Sequence, residues 1–491
     1  MKRVVGAARE VPLRGSYPAA VALALLALCP FLVLTTASTL LRPQLMHDLG
    51  AGAFAVQLTS ALANAGYAFG AVMAADIFQR VSRRSLYIAC EAGFVLGSVL
   101  AFTAPGVVVF AVGMILQGVA TGMLLVASLP PLVTRHGAER LPLTAAFVNL
   151  GLFGVVTLGP LVGGLAGTFH AWRPLYAGVA VLGLLGVAVG LLAFERNEPP
   201  MPGMGFDWLA VPLALGATVL PFFAVSWLTR ASFTSALFLV PVIVGLLLVA
   251  GLVAAQYRKR DPLMPVRLIS STLPVTGVGC AMLAGAAYTT LLELAEVYLF
   301  RGTGWAPWRV GAVMTSQVLG IATAAWLFKR AFPSRWTPLL ALSGLLSTLA
   351  AATVLLFLSP GSASVLAPVA AVLLGFGAGA GVAPGLFMAG LSVPSSKLGP
   401  TFALVELLRA EAAFLLAPVL VFVAQSAASL QDGVHLAVAV VLAVCAAGTA
   451  VLLSVYVLGG ARPHEPRLQA WLGGEESAYH SPPLADAVRE T

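Results

Sequence analysis

Fourteen apolar runs, at about 17–41, 52–75, 85–104, 106–133, 141–169, 174–194, 208–229, 232–256, 273–300, 308–328, 336–358, 363–393, 400–428 and 434–458, constrain this chain more than any other feature. An α-helix needs roughly 20 apolar residues to cross the hydrocarbon core of a bilayer. Lipid offers no partner to a bare N–H or C=O group, so only helices and closed barrels span it. The runs are far too long for barrel strands, and helices are predicted. Composition agrees: 59% of residues are hydrophobic, 9% are charged and the mean hydropathy is +0.97, values foreign to a soluble domain.

Orientation follows from the basic residues, because cytoplasmic loops carry an excess of Lys and Arg. Of the 27 such residues, twenty-one fall on one face, Lys2, Arg3, Arg9, Arg196 and Arg489 among them. Five fall on the other (Arg42, Arg173, Arg230, Arg301 and Arg309), and Arg409 lies inside a span. Both termini are therefore expected in the cytoplasm, with residues 1–16 as an N-terminal tail and 459–491 as a disordered tail. The net charge of +8 comes from this bias, spread over short loops, and does not point to nucleic acid. Cys29, Cys90, Cys280 and Cys445 lie in four different spans without CxxC spacing, so neither a disulfide nor a metal is expected. No cofactor is implied, and no loop is large enough for a catalytic domain.

The fifth run has the most informative local sequence, from Gly151 through Gly154, Gly159-Pro160 and Gly163-Gly164 to Gly167. Gly159, Gly163 and Gly167 recur every four residues and share a helix face, leaving a flat strip for another backbone. Pro160 removes one helical hydrogen bond and bends the rod. A bent, closely packed helix suits two bundles that rock against each other.

These segments resemble the major facilitator superfamily, and in particular its fourteen-span drug:proton antiporter branch. The resemblance rests on the span-5 run, which is similar to the antiporters' motif C, and on the hook Ala171-Trp172-Arg173-Pro174 after it. Pro43-Gln-Leu-Met-His-Asp48-Leu-Gly50, Leu116-Gln117-Gly118 through Gly122, and the Arg258 to Arg267 segment resemble further parts of that branch. The resemblance implies an all-α membrane protein of two six-helix bundles, 17–194 and 268–458, with two inserted helices in 195–267. It also implies a substrate site near the bilayer midplane between the bundles. Two departures stand out: where these antiporters carry Asp in span 1 and Arg in span 4, this chain has Leu34 and Met114. Proton coupling would have to use other groups.

An ionisable residue at membrane depth costs roughly 2.5–3.5 kcal/mol at mid-helix and is a functional candidate by default. Glu293 and Glu296, at i,i+3 on span 9, are candidates for proton or cation binding. A hydrated salt-bridge patch with Arg301 is the other reading. On span 13, Glu406 and Arg409 can form a static clamp or line the cavity, and Glu411 is a further proton-coupling candidate. Glu91 is within reach of the Arg80, Arg83 and Arg84 loop as an ion-pair partner, and Asp76 reads as a latch between the bundles. Gln117, Asn149 and Gln317 are candidates for the cavity wall or for helix-to-helix hydrogen bonds, whereas Tyr288, Trp305, Trp308 and Trp336 read as interface anchors. The glycines of span 12, Gly375 to Gly385, are expected either to bend that helix or to pack it.

The expected function is export of amphipathic or cationic small molecules across a bacterial cytoplasmic membrane, by alternating access and proton antiport, with the chain acting as a monomer and not as an enzyme. An uncoupled solute or lipid facilitator and a non-transporting membrane sensor are the alternatives.

Overall fold

The computed structural model describes residues 13–194, 207–260, 262–474 and 476–484. Lys2, Arg3, Arg9, Arg196 and Arg489 lie outside them, as does most of the expected N-terminal tail. Among the described residues, fourteen helices are long and apolar enough to cross a membrane. The first six are α1 (Tyr17–Asp48), α2 (Ala53–Arg80), α3 (Arg83–Thr103), α4 (Val107–Thr134), α5 (Ala138–Thr168) and α6 (Trp172–Ala193). The inserted pair is α7 (Ala210–Trp227) and α8 (Ala236–Arg258). The last six are α9 (Thr272–Gly302), α10 (Pro307–Ala331), α11 (Thr337–Leu356), α12 (Ala363–Leu391), α13 (Ser395–Ser426) and α14 (Leu430–Leu458). The two faces of the bundle are named here by the ends of α1, the Tyr17 end and the Asp48 end.

The two halves repeat one packing scheme. α1 lies on α5, α2 on α4 and α3 on α6, and in the second half α9 lies on α13, α10 on α12 and α11 on α14. The halves meet through α2 with α13 and α5 with α10, so each half contributes the same two elements to the seam. α7 wedges against that seam, with Phe222 among Ala61 and Ala65 of α2 and Phe414 of α13.

Hydrophobic burial cannot drive helix association inside lipid, so close backbone approach has to. Small residues provide it. On α4, Gly118 presses on Ala63 and Gly122 on Tyr67 of α2; in the second half, Gly320 of α10 and Gly375 of α12 press on each other's helix in the same way. The glycines of α12 face four directions: Gly375 meets α10, Gly377 meets α11, Gly379 meets α10 and Asn149 of α5, and Gly385 meets α9. α12 is one unbroken helix through all of them, which accords with the packing reading.

α5 is interrupted. A π-helical stretch at Asn149–Gly154 and a turn at Thr157 and Leu158 precede a resumed helix that begins at Gly159. Pro160 occupies the first turn of that helix, where a missing N–H costs little, so the bend sits just before the proline. Gly159, Gly163 and Gly167 face α1 at Val33 and Thr36, at Ala37 and at Leu40; Gly164 turns the other way, onto Pro307 and Trp308 of α10. Gly154 lies near Ile321, also of α10.

Two motif segments far apart in sequence meet at the Asp48 end. Trp172 Nε1 donates to Asp48 at 2.8 Å, and Arg173 donates to the carbonyls of Phe102 and Ala104, satisfying the last turn of α3. At the Tyr17 end, Lys259 and Gln256 donate to Asp207, clasping the start of α7 to the end of α8. Burial would raise the Asp207 carboxyl, but Lys259, Gln256 and the Ala210 N–H outweigh it and hold the group below the ordinary carboxylate value. The clasp should therefore stabilise fully above about pH 4, the unfolded value, and weaken as pH falls through the lower folded value. Protection of the first amides of α7, corrected for the pH dependence of intrinsic exchange, is expected to hold at pH 5 and to fall at lower pH, and Asp207→Asn should lower it at pH 5 and above.

The described part of the tail, residues 461–474 and 476–484, differs from the expectation of disorder, and residues 485–491 lie outside the described residues. A short helix, α15 (Leu468–Leu472), buries Trp471 completely, and its indole donates to the Val393 carbonyl at 2.8 Å. Ala478 and Tyr479 N–H groups donate to Leu391, and Pro483 bridges to Ser271. The strap thus ties the Tyr17 ends of α9, α12 and α13. One buried tryptophan anchors a segment whose remaining composition looks unstructured.

Candidate functional site

A cavity lies between the halves, from mid-helix toward the Asp48 end. Its walls come from α1, α2 and α5 on one side and from α9, α12 and α13 on the other. Phe153, Leu292 and Phe414 supply apolar surface, and Thr35, Ser38 and Asn64 supply uncharged polar groups. An outer chamber shares Arg42, Gln57, Glu293 and Pro418 with it and carries it on toward the Asp48 end.

Toward the Tyr17 end a polar floor joins the halves. Arg409 donates through Nε at 2.9 Å and through Nη2 to one oxygen of Glu406, and the Tyr67 hydroxyl of α2 donates to the same oxygen at 3.2 Å. Beside it, the Asn149 side chain of α5 donates to the Gly379 carbonyl of α12 at 2.8 Å. Arg409 also faces the cavity, where its stem lies against Gly285. This is a buried charge whose partner is on its own helix and whose second anchor is across the seam.

Higher on the wall, Glu293 pairs with Arg42 of α1 at 3.3 Å, a bridge between the halves that separates the inner cavity from the outer chamber. One turn away, Glu296 lines the cavity at 1% exposure. Its Oε1 has no hydrogen-bond partner, and neither does the nearby Tyr288 hydroxyl on the same wall. The span-9 acids therefore differ: one is paired across the seam, and the other, on the cavity wall, keeps a buried carboxyl oxygen without a hydrogen-bond partner. Glu293 is not held by Arg301, which lies further out in the chamber.

The other candidates sit elsewhere. The Gln117 amide donates to Ser98 at 2.7 Å between α3 and α4, and Gln317 is buried under Gly375, so neither lines the cavity. Asn149 serves in the floor rather than the wall. Glu411 is buried away from the cavity, with both carboxyl oxygens lacking partners. Asp76 pairs with Arg80 one turn along the same helix and joins no two bundles in this state. Arg84 donates to Leu191 of α6, inside the first half. Glu91 is not an ion-pair partner of the Arg80 to Arg84 loop: its carboxyl takes a hydrogen bond from Tyr87 at 2.8 Å and fills the space left by Gly186 of α6. Leu34 and Met114 are both buried.

Sequence reasoning missed three contributors. Tyr288, read as an interface anchor, is on the cavity wall. Arg42 was counted as one of five basic residues on its face, and that scarcity was the signal available. Tyr67, flanked by Gly66 and Ala68, carried none.

A family model described as Major Facilitator Superfamily matches residues 23–418. Over 279 residues the chain is 26% identical to the MFS-type transporter YubD of Bacillus subtilis, covering 55% of this chain and 53% of that protein. It is 28% identical over 194 residues to the Multidrug resistance protein B homolog of Mycobacterium tuberculosis, covering 39% and 36%. It is 23% identical over 358 residues to the Drug efflux pump JefA of the same organism, covering 70% and 69%. The chain spans about half or less of the length of the first two. Among solved structures, a peptide transporter POT in complex with sulfate superposes with a TM-score of 0.64 at 17% identity, covering 94% of this chain and 97% of that one. The human organic anion transporter MFSD10 gives 0.61 at 14% identity, covering 89% and 99%. At such identities these two likenesses speak for the fold.

Proposed function

The chain belongs to the Major Facilitator Superfamily, and from that premise we propose that it exports amphipathic or cationic small molecules by alternating access coupled to proton movement. The observation that carries this reading is Glu296, a buried acid with an oxygen unclaimed by any hydrogen bond, on the wall of a largely apolar cavity shared by both halves. An uncompensated carboxylate in low dielectric attracts either a proton or a cation. One group that can hold either, but not both, is sufficient for exchange. The apolar and aromatic wall suits ligands of varied shape, and two of the relatives are named for multidrug resistance and drug efflux.

The cavity widens toward the Asp48 end, while the Tyr67–Glu406–Arg409 and Asn149–Gly379 contacts close the Tyr17 end. The excess of basic residues at the Tyr17 end makes that end cytoplasmic, so the cavity leads outward between α1–α2 and α9–α13 while α5 and α10 still touch at the Asp48 end, a partly open outward state. Opening the other way requires the floor contacts to part and the Arg42–Glu293 region to close over the cavity.

In inverted membrane vesicles, a fluorescent cation should accumulate when the lumen is acidified. Glu296→Gln should lower that pH-driven rate roughly 5- to 150-fold, the span of a coupling free energy of about 1–3 kcal/mol, and should weaken binding of the cation as well. Full pH-driven accumulation by the variant would remove Glu296 from the mechanism. Leu34 and Met114 favour one second reading, an uncoupled facilitator, and transport by the unaltered protein that ignores the pH gradient would select it.

A further inference from the structure

A second groove, separate from the central cavity, opens on the lipid-facing side at the Tyr17 end. It lies between α11 and α14, with Cys280 of α9 at its back. Leu342 and Leu345 form one wall and Leu453 and Tyr456 the other. Leu339 and Leu453, both on its rim, are exposed, so the groove faces the hydrocarbon around the protein. From Trp336 to Leu345 it follows nine residues of helix, about 13 Å at 1.5 Å per residue. That is close to the ~15 Å depth of one leaflet's hydrocarbon, half of the roughly 30 Å core.

The mouth differs chemically from the floor. Arg335 lines it, and the one interaction of its guanidinium among the described residues is with the Trp336 ring, 5.0 Å from the centroid. Among the described residues lining the groove, no carboxylate answers the charge. Lys329 and Arg330 stand in the last turn of α10, just before the connection that carries Arg335, and Pro463 at the start of the tail strap borders the mouth on its other side. An exposed cation at the headgroup level, above an apolar slot one leaflet deep, is complementary to a molecule with an anionic head and a hydrocarbon tail.

We propose that this groove seats an acyl chain of an anionic phospholipid whose phosphate is held by Arg335. Native mass spectrometry of the purified full-length protein, titrated with phosphatidylglycerol and with phosphatidylcholine of the same chains, tests this. Phosphatidylglycerol is expected to be retained preferentially. Arg335→Gln should weaken that preference about fivefold, the worth of one basic residue at the surface, and Arg335→Lys should restore most of it. Leu342→Trp, which fills the slot and leaves the charge in place, should abolish retention of the first phospholipid while elution and thermal unfolding stay as in the unaltered protein. Equal retention of the two lipids, an unchanged preference in Arg335→Gln, or retention of a free fatty acid but no phospholipid would each overturn the assignment.

Discussion

Glu406→Ala is expected to destabilise the protein by about 3–5 kcal/mol, the usual result of stripping one partner from a buried ion pair. The physical reason is desolvation. Arg409 sits at 9% exposure beneath the cavity, and Glu406 neutralises it at i,i+3 while also accepting from Tyr67. With the carboxylate gone, a guanidinium remains in low dielectric with neither counter-charge nor acceptor. Removing both charges together leaves only the Tyr67 hydroxyl without its acceptor, a neutral group that costs far less than a bare charge. The double variant Glu406→Leu, Arg409→Leu should therefore be much closer to the unaltered protein in thermal unfolding than Glu406→Ala is, so the two changes are strongly non-additive. Tyr67→Phe should cost far less, on the order of 0.5–1.5 kcal/mol for one hydrogen bond. A Glu406→Ala protein as stable as its parent would show that water reaches Arg409 from the cavity and solvates it.

Gly164→Leu is the second large effect, and it acts on the balance between states. A side chain at Gly164 would run into the Pro307 carbonyl and the Trp308 backbone of α10. Because the obstacle is backbone, a rotamer change cannot relieve it, and overpacking of about 1–3 kcal/mol is expected. The strain disappears if α5 and α10 separate at the Asp48 end, so it becomes a bias toward states in which they are apart. A bias of that size changes the ratio of states roughly 5- to 150-fold. Thr168 Oγ1 accepts from the Trp308 N–H across this contact at 3.2 Å. A cysteine pair placed at Thr168 and Trp308 should crosslink readily in the parent background and poorly with Gly164→Leu. Gly178→Leu, where an added side chain meets nothing, is the matching control and should leave crosslinking unchanged. Gly163→Leu differs from both, because it pushes α5 off Ala37 of α1 within one half and should lower stability rather than shift the states.

The candidate site was legible in part. Glu293 and Glu296 stood out because an acid inside an apolar run is rare, and both line the cavity. Their division into a paired and an open carboxyl was not legible, since Arg42 lies 251 residues from its partner along the chain. Gln117 and Gln317 show the opposite failure. A buried amide at depth reads the same whether it faces water or a neighbouring helix, and here close glycine packing turned both away from the cavity. Glu91 was assigned to the nearest basic loop by sequence distance, whereas the vacancy at Gly186 and the Tyr87 hydroxyl gave its carboxyl a seat inside the first half.

Fourteen helices, their alternation through the bilayer and the flat glycine faces were decided by the sequence alone. These are local properties: a run of apolar side chains must satisfy its own backbone hydrogen bonds in lipid, and a missing Cβ leaves its gap wherever the helix goes. Tertiary structure decided which charges met. Arg42 reached Glu293, Tyr67 reached Glu406, Glu296 kept an oxygen free, and Trp471 drew the tail onto the bundle. Ion pairing in a medium of low dielectric depends on separations of a few ångströms between helices, and only the packed bundle fixes those.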